Sequence, residues 1–219
     1  MSLWSQFIEH DGRGVQKWSQ YFAAYENHLA RFEGRPVRLL EIGVNRGGSL
    51  QLWKKYLGPR AIIVGLDIDP ACKQVEEPQI HVRIGSQTDT ALLQSIDDEF
   101  GPFDVVLDDG SHQNAHQIAT MEFLYPRMSP TGVYLVEDVH TSYMERYAGG
   151  LHREGTFIER AKHLIDELHA DYAGEALAPS AFTRSTTSLH FYDSVVAFER
   201  APHPQAVSVD RGHPPLNRK

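Results

Sequence analysis

The hydrophobic positions along the chain follow two alternating patterns. Short, nearly continuous apolar runs predict buried strands, and apolar residues at every third or fourth position predict helices. The strand-like runs are residues 37–43, 61–66, 80–84, 103–107 and 132–136. The helix-like segments are residues 15–32, 49–57, a stretch from Thr88 or Asp89, 114–128 and 157–172, with a short helix after Asp69 and Pro70. Five such alternations favour a parallel sheet covered by helices on both faces.

The end of the chain has a different pattern. Residues 188–192 and 195–198 are apolar runs on either side of the turn Asp193–Ser194, which predicts a hairpin and therefore at least one antiparallel strand. We expect an α/β fold: one doubly wound, Rossmann-like domain over residues 1–200, with a mostly parallel seven-stranded sheet and this C-terminal antiparallel hairpin. The helix at residues 14–33 would cap the domain, and residues 201–219 would form a flexible tail.

Composition narrows the range of partners. The 219 residues carry 21 Lys and Arg against 29 Asp and Glu, a net charge of -8, which disfavours nucleic acid as the main partner. The single cysteine, Cys72, permits no internal disulfide and favours a reducing compartment. No apolar run is long enough to span a bilayer, and the opening MSLWSQFIEHDGRG lacks the regions of a signal peptide. We therefore expect a cytoplasmic protein without a membrane partner.

The loop after the first strand indicates a cofactor site. In open α/β sheets, ligands bind beyond the carboxyl ends of the strands, and here that end carries Glu41, Gly43, Gly47 and Ser49. The glycines allow close backbone approach, and the helix that follows can hold an anionic group. Their spacing does not fit G-x-G-x-x-G, and Glu41 would repel a pyrophosphate. An amino-acid-bearing nucleotide fits better, with its ammonium near Glu41 and its carboxylate near Ser49.

The next strand ends complete the same prediction. Asp67 ends the second strand, where a carboxylate can accept hydrogen bonds from both ribose hydroxyls. Ser86 and Gln87 follow the third strand and suit the edge of an adenine, while Asp108 either caps the next loop or contacts the cofactor. The ordered set resembles the S-adenosylmethionine site of class I methyltransferases. The alternative is that these glycines merely make turns.

A cluster of acidic residues follows the fourth and fifth strands. Asp109, Glu137 and Asp138 would meet at one edge of the sheet, where their mutual repulsion calls for a cation. Oxygen ligands with room for water and substrate favour Mg²⁺. His112 lies close enough to reach a substrate hydroxyl held there. With His116 and Asp109 it could instead form a zinc site, a weaker interpretation because no thiolate or third histidine accompanies them.

The run Asp108-Asp109-Gly110-Ser111-His112, together with Glu137-Asp138, resembles metal-dependent O-methyltransferases of the catechol type, which carry Lys where this chain has His112. It resembles more closely the sugar O-methyltransferases of macrolide biosynthesis, of the macrocin and mycinamicin type. Among short chains it is similar to the mycobacterial enzymes that 1-O-methylate methylmannose polysaccharides. The resemblance spans roughly residues 38–143. It implies Asp109, Glu137 and Asp138 as Mg²⁺ ligands and His112 as general base.

The expected function is transfer of a methyl group from S-adenosylmethionine to a sugar hydroxyl, with a small-molecule or oligosaccharide acceptor. A methylated mannoside in polysaccharide biosynthesis is one such acceptor. His140 and Tyr143 are expected to contact the acceptor, and His140 is the alternative base. The competing functions are a catechol-type aromatic O-methyltransferase, an NAD(P)-dependent oxidoreductase, and a non-catalytic S-adenosylmethionine-binding protein. Association into a homo-oligomer is left open.

Overall fold

The computed structural model describes residues 1–212, which form one seven-stranded sheet flanked by helices. The strands are β1 (Val37–Ile42), β2 (Ala61–Asp67), β3 (Ile80–Ile84), β4 (Val105–Asp108), β5 (Val133–Val136), β6 (Thr186–Tyr192) and β7 (Val195–Arg200). The α-helices are α1 (Leu3–Ile8), α2 (Tyr21–Leu29), α3 (Gly48–Leu57), α4 (Thr90–Phe100), α5 (Asn114–Leu124), α6 (Phe157–Leu168) and α7 (Ala181–Ser185). Every strand predicted from the apolar runs is present.

The order of the strands across the sheet is β3-β2-β1-β4-β5-β7-β6. The first five strands along the chain pair in parallel, and β7 lies antiparallel between β5 and β6. The predicted parallel sheet with a C-terminal antiparallel hairpin is therefore confirmed. The strand order reverses between β1 and β4, so the loops that follow these two strands diverge and leave a crevice, the usual ligand position in such sheets.

Two hydrophobic cores lie on opposite faces of the sheet. Helices α1, α2 and α3 cover one face, where Tyr25 and Trp53 are fully buried. Helices α4, α5 and α6 cover the other, around Phe103 and Phe157. Successive residues of the central strands point to opposite cores, so both faces of each strand must be apolar. This is why the strands read as continuous apolar runs.

The N-terminal helix is shorter than its apolar spacing predicts. Helix α2 begins at Tyr21, and residues 11–20 have no helical turn although Val15 and Trp18 continue the apolar spacing. Trp18 is 57% exposed, so it does not belong to a buried helical face. The side chain of Lys17 pairs with carboxylates at the sheet edge, as described below, and a helix over this segment would have to give up these contacts. Helix α1 was not predicted.

The later helices end earlier than predicted. Helix α5 gives way to a 3₁₀ turn (Tyr125–Arg127), because Pro126 has no N–H to donate within a helix. Helix α6 packs through a narrow stripe containing Ala161 and Leu164, which leaves Ile165 and Tyr172 exposed where both were expected to face the sheet. Asp89 caps α4 as predicted, accepting hydrogen bonds from two backbone N–H groups.

The segment after β7 contains no helix or strand in residues 201–212, and its predicted flexibility stays a prediction. The part of that prediction covering residues 213–219 lies outside the described residues. The backbone N–H groups of Ala201 and His203 donate to the carbonyls of Ser185 and Arg184, which ties the start of the segment to α7. Within residues 1–212, no helix has the length and apolar character needed to cross a membrane.

Candidate active site

Two neighbouring cavities lie at the carboxyl ends of the parallel strands. The β2–β3 cavity has a volume of about 190 Å³ and is lined by residues that follow these strands, among them Asp67, Ser86 and Gln87. The β4–β5 cavity, of about 540 Å³, is lined by Asp109, His112, Glu137, Asp138 and the N-terminal residues Lys17 and Trp18. Gly43, Asp67 and Gly110 line both cavities. One extended ligand could therefore reach from one cavity into the other.

Glycine is required where the loops after β1 and β4 approach each other. A Cβ atom at Gly43 would lie 2.0 Å from the backbone oxygen of Asp109, and the φ of Gly43 is +92°. Gly47 has a φ of +78° just before α3 begins. These two positions shape the predicted cofactor loop and place its backbone against the acidic residues of β4.

The carboxylate of Asp67 lies at the junction of the two cavities. It accepts hydrogen bonds from the backbone N–H groups of Val44 at 2.8 Å, Asn45 at 3.0 Å and Asp69 at 2.9 Å. Although burial opposes ionisation, these N–H groups hold the pKa of Asp67 below its usual range. An ionised carboxylate on a rigid loop is suited to accept hydrogen bonds from a vicinal diol.

Five other residues predicted to bind the cofactor lie in different surroundings. Ser86 and Gln87 line the β2–β3 cavity, but the Gln87 amide also donates to Asp108 and Thr120 inside the protein. Asp108 is fully buried and lines neither cavity, so the structure does not bring its carboxylate to the predicted cofactor position. Burial raises the pKa of Asp108 to about 7. Glu41 is likewise fully buried, and its carboxylate accepts a 2.6 Å hydrogen bond from Ser49.

Asp109, His112 and Asp138 form the most compact group of potential metal ligands among residues 1–212. One ligating atom from each lies within 4.8 Å of the others. His112 and Asp138 have φ values of +56° and +55°, a left-handed conformation that is uncommon for residues other than glycine and that clusters at functional sites. The Nε2 atom of His112 lies 3.5 Å from Oδ2 of Asp138, and its buried Nδ1 has no hydrogen-bond partner in the described chain.

Glu137 is separated from this group by a residue that the sequence did not identify. The side chain of Lys17 is 2% exposed, and its Nζ atom lies 3.0 Å from both carboxylate oxygens of Glu137 and 2.6 Å from Oδ2 of Asp109. It also donates to Glu41 at 3.3 Å. Burial alone would lower the pKa of Lys17, but these carboxylates raise it well above its usual range. Burial and the neighbouring Asp109 raise the pKa of Glu137.

His140 and Tyr143, the residues expected to contact the acceptor, line neither cavity. Nδ1 of His140 is 2.5 Å from the hydroxyl of Ser194 and 3.8 Å from Asp138. The hydroxyl of Tyr21 donates to Asp138 and lies 2.9 Å from the hydroxyl of Ser194, so Tyr21 fixes one oxygen of the Asp138 carboxylate. Tyr143 is half-exposed and lines neither cavity, which gives no support to its predicted contact with an acceptor.

His116 does not join the acidic cluster. Its Nδ1 atom lies 2.8 Å from the hydroxyl of Ser111, and the side chain lines the β2–β3 cavity. The compact group of potential ligands therefore contains one histidine and two carboxylates. This composition gives no support to the alternative of a zinc site built on His112 and His116.

The strand ends that carry this site lie inside a region that matches a known family. A family model described as a methyltransferase domain matches residues 40–139, from β1 to the residue after Asp138. This part of the chain is similar to methyltransferase domains. The match includes the glycine loop after β1 and the acidic ends of β4 and β5, but not Lys17, Trp18 and Tyr21, which also line the β4–β5 cavity.

The chain is similar in sequence to sugar O-methyltransferases. It is 39% identical over 199 residues to the 8-demethyl-8-alpha-L-rhamnosyl tetracenomycin-C 2'-O-methyltransferase of Streptomyces olivaceus, covering 85% of this chain and 52% of that protein. It is 36% identical to the mycinamicin VI 2''-O-methyltransferase of Micromonospora griseorubida, covering 80% of this chain and 47% of the relative. The chain thus spans about half the length of these relatives.

The solved structure of the MycE methyltransferase from the mycinamycin biosynthetic pathway, in complex with Mg and SAH, has the same architecture. It superimposes with a TM-score of 0.83 at 32% identity, covering 92% of this chain and 55% of MycE. The chain therefore has the α/β methyltransferase fold, including the antiparallel C-terminal strands. The expected resemblance to macrolide sugar O-methyltransferases is confirmed.

Three residues of the site were not identified from the sequence, because they lie before residues 38–143, the part of the chain that carries the family resemblance. Lys17, Trp18 and Tyr21 all fell within the predicted helix at residues 15–32, where Trp18 was counted among the apolar positions and the other two were given no role. Lys17 pairs with Asp109 and Glu137, which are 92 and 120 positions away in sequence. The one available signal was indirect: a buried cluster of carboxylates needs a cation, and a lysine can supply it.

Proposed function

We propose that this chain transfers the methyl group of S-adenosylmethionine to a hydroxyl of a sugar attached to a small molecule, with a divalent cation such as Mg²⁺. The observation that carries the proposal is the grouping of Asp109, His112 and Asp138 beside a loop suited to the cofactor. The names of the relatives support the acceptor class, because both describe methyl transfer to glycosylated natural products.

The cofactor would lie across the crevice between β1 and β4. In this arrangement Asp67 accepts hydrogen bonds from the ribose hydroxyls, and Ser86 and Gln87 border the adenine in the β2–β3 cavity. The glycine at position 43 lets the methionine part of the cofactor pass close to the backbone. Glu41 does not reach the open cavity, so its effect on the cofactor ammonium would act through Ser49 and Lys17.

The residues present fit a divalent cation. Asp109 and Asp138 offer carboxylate oxygens, the ligands that Mg²⁺ prefers, on the wall of a cavity with room for water and an acceptor. Glu137 would be a third ligand, but in this structure both of its oxygens accept hydrogen bonds from Lys17. When bound, the cation would lower the pKa of a coordinated hydroxyl and so favour its deprotonation.

His112 fits the role of general base better than His140. Its Nε2 atom faces Asp138 at 3.5 Å on the wall of the β4–β5 cavity, where it can take a proton from an acceptor hydroxyl held near that carboxylate. His140 lines neither cavity, and its Nδ1 atom is hydrogen-bonded to Ser194. His112 would therefore take the proton on an unprotonated Nε2 atom, and Asp138, 3.5 Å from the same nitrogen, would stabilise the imidazolium that forms.

Trp18 gives the acceptor cavity an apolar wall. Its indole is 57% exposed at the rim of the β4–β5 cavity, beside His140, with 6.2 Å between the ring centroids. An exposed aromatic face at the entrance is suited to pack on the C–H face of a sugar ring or on an apolar aglycone. A methylmannoside acceptor stays a prediction, as does a cytoplasmic location.

A methyl-transfer assay tests this proposal directly. S-adenosylmethionine carrying a labelled methyl group is incubated with three acceptors: a rhamnosylated polyketide, a methylmannose oligosaccharide and a catechol. We expect label in a glycoside, loss of transfer in EDTA and recovery when Mg²⁺ is restored. Asp109→Asn should abolish transfer, whereas Asp98→Asn, on the exposed surface of α4, should leave it unchanged.

Each contrary result of these assays would support one of the competing functions. Transfer to the catechol alone would support the aromatic O-methyltransferase, and calorimetric binding of NAD without binding of S-adenosylmethionine would support the oxidoreductase. Cofactor binding with no transfer to any acceptor would support a non-catalytic role. Transfer that persists in EDTA would remove the cation from the proposed function while leaving the methyl transfer itself in place.

A further inference from the structure

The ammonium of Lys17 occupies the centre of three carboxylates at the edge of the sheet. It donates to Glu41, Asp109 and Glu137, and two of these carboxylates, Glu41 and Glu137, are at most 1% exposed. Buried carboxylates this close together repel one another unless a cation compensates them. In this structure that cation is a side chain of the chain itself.

Lys17 belongs to a segment that closes over the site. Residues 12–18, here called the N-terminal strap, cross the start of α3, where a Cβ atom at Gly48 would lie 2.3 Å from the carbonyl oxygen of Arg13. The strap is also held by the ion pair of Arg13 with Glu77 at 3.0 Å and by a hydrogen bond from the Arg13 N–H to Gln51. These contacts are polar and partly exposed, so they are individually weak.

The hydrogen bonds of Lys17 use ligand atoms that a divalent cation would need. Both oxygens of Glu137 and Oδ2 of Asp109 accept from its Nζ atom. A metal ion cannot take Glu137 as a ligand while those bonds persist, because the ammonium stands between the carboxylate and the rest of the cluster. An ammonium and a metal ion placed this close together also repel each other.

We propose that Lys17 competes with the divalent cation for Glu137, so that the cation recruits Glu137 only by displacing Lys17 and loosening the N-terminal strap. This inference rests on the proposed function only in that a divalent cation uses the site. The cation would first contact Asp109 and Asp138, whose ligand atoms already lie close together. Displacement of Lys17 would also move its neighbour Trp18, so metal binding would reshape the wall that faces the acceptor.

The first test measures cation affinity without any methyl transfer. Binding of Mg²⁺ is measured by calorimetric titration, and binding of Mn²⁺ by electron paramagnetic resonance. Both measurements compare the wild type with Lys17→Met and Lys162→Met. We expect Lys17→Met to bind each ion about tenfold tighter or more, because both oxygens of Glu137 then become available as ligands. Lys162 pairs with Glu159 on α6, away from the site, and its variant should bind as the wild type does.

A second variant keeps the test valid if Lys17→Met does not fold. Lys17→Met combined with Glu41→Gln removes one positive and one negative charge together and leaves Asp109, Glu137 and Asp138 intact. It too should bind the cations tighter than the wild type. Affinity unchanged or weaker than wild type in every folded variant would overturn the inference, because it would show that Lys17 helps to form the cation site or plays no part in it.

The second test follows the strap itself. Hydrogen exchange of the peptide containing residues 12–18 should accelerate when Mg²⁺ is added to the wild type and should change little in Lys17→Met, whose strap has already lost this contact. Equal exchange with and without a bound cation in the wild type would overturn the inference. If neither ion binds the wild type or any variant, the cation in the proposed function fails instead, so the two failures are distinguishable.

Discussion

The buried carboxyl group of Asp108 should make the stability of the fold depend on pH. Asp108 ends β4 with no exposed surface, and its carboxyl oxygens accept hydrogen bonds from the Gln87 amide at 3.2 and 3.3 Å. No Lys, Arg or His of residues 1–212 lies within 4.0 Å of it. Burial without a cationic partner is what raises its pKa to about 7.

The size and direction of the effect follow from proton linkage. Between about pH 4 and pH 7 the folded chain keeps the Asp108 proton that the unfolded chain has released, so the free energy of unfolding falls as the pH rises. The pKa of Asp108 is about 7 in the folded chain and near 3.9 in the unfolded chain. This difference lowers the free energy of unfolding by about 4 kcal/mol once the pH exceeds 7. About 1.5 kcal/mol of this is already lost at pH 5.

Asp108→Asn removes the titration while keeping a side-chain oxygen for the surrounding donors. Urea unfolding of the two proteins at pH 5, 6, 7 and 8 should show a stability advantage of the variant that grows by about 2–3 kcal/mol from pH 5 to pH 8. Asp98→Asn, which changes an exposed carboxylate on α4, is the matched control and should show no such trend. A constant difference between the wild type and Asp108→Asn at all four pH values would refute the reasoning.

Three further predictions concern the site. Asp67→Ala should weaken S-adenosylmethionine binding in calorimetry by about tenfold or more, since charge-assisted hydrogen bonds are lost, and unchanged affinity would contradict its role. His112→Ala should lower kcat about 10²–10⁴-fold with cation and cofactor still bound, whereas His140→Ala should keep much more activity; the reverse ranking in steady-state assays would assign the base to His140. Trp18→Ala should raise KM for a glycoside more than it lowers kcat, and an unaltered KM would remove the indole from acceptor binding.

The sheet could be predicted from the sequence because its physical cause is local. A strand buried on both faces must be apolar at successive positions, and the five runs that satisfied this rule are β1 to β5. The grouping of the acidic residues could be predicted as well, because the carboxyl ends of parallel strands meet at one edge of the sheet. That is why Asp109, Glu137 and Asp138 could be placed near one another from the sequence alone.

The N-terminal segment could not be predicted because its conformation is decided by distant partners. Val15, Trp18 and Phe22 have helical spacing, yet only Phe22 is in a helix and buried. The ion pairs of Lys17 with carboxylates at the sheet edge override a weak local preference, as tertiary contacts commonly do. The same cause explains Glu137: its place in the acidic cluster was predicted, but its partner was not.

Lys17 and a divalent cation compete for the same ligand atoms, although the total charge of the site can accommodate both. Glu41, Asp109, Glu137 and Asp138 carry four negative charges when ionised, and Lys17 returns one. A sulfonium and a divalent cation would together supply the remaining three, so all three cations are compatible with neutrality. Glu137, however, has two oxygens, and Lys17 holds both. Removing Lys17 should therefore change the affinity for the metal ion much more than the affinity for S-adenosylmethionine, and equal changes in both would point to a general electrostatic effect instead.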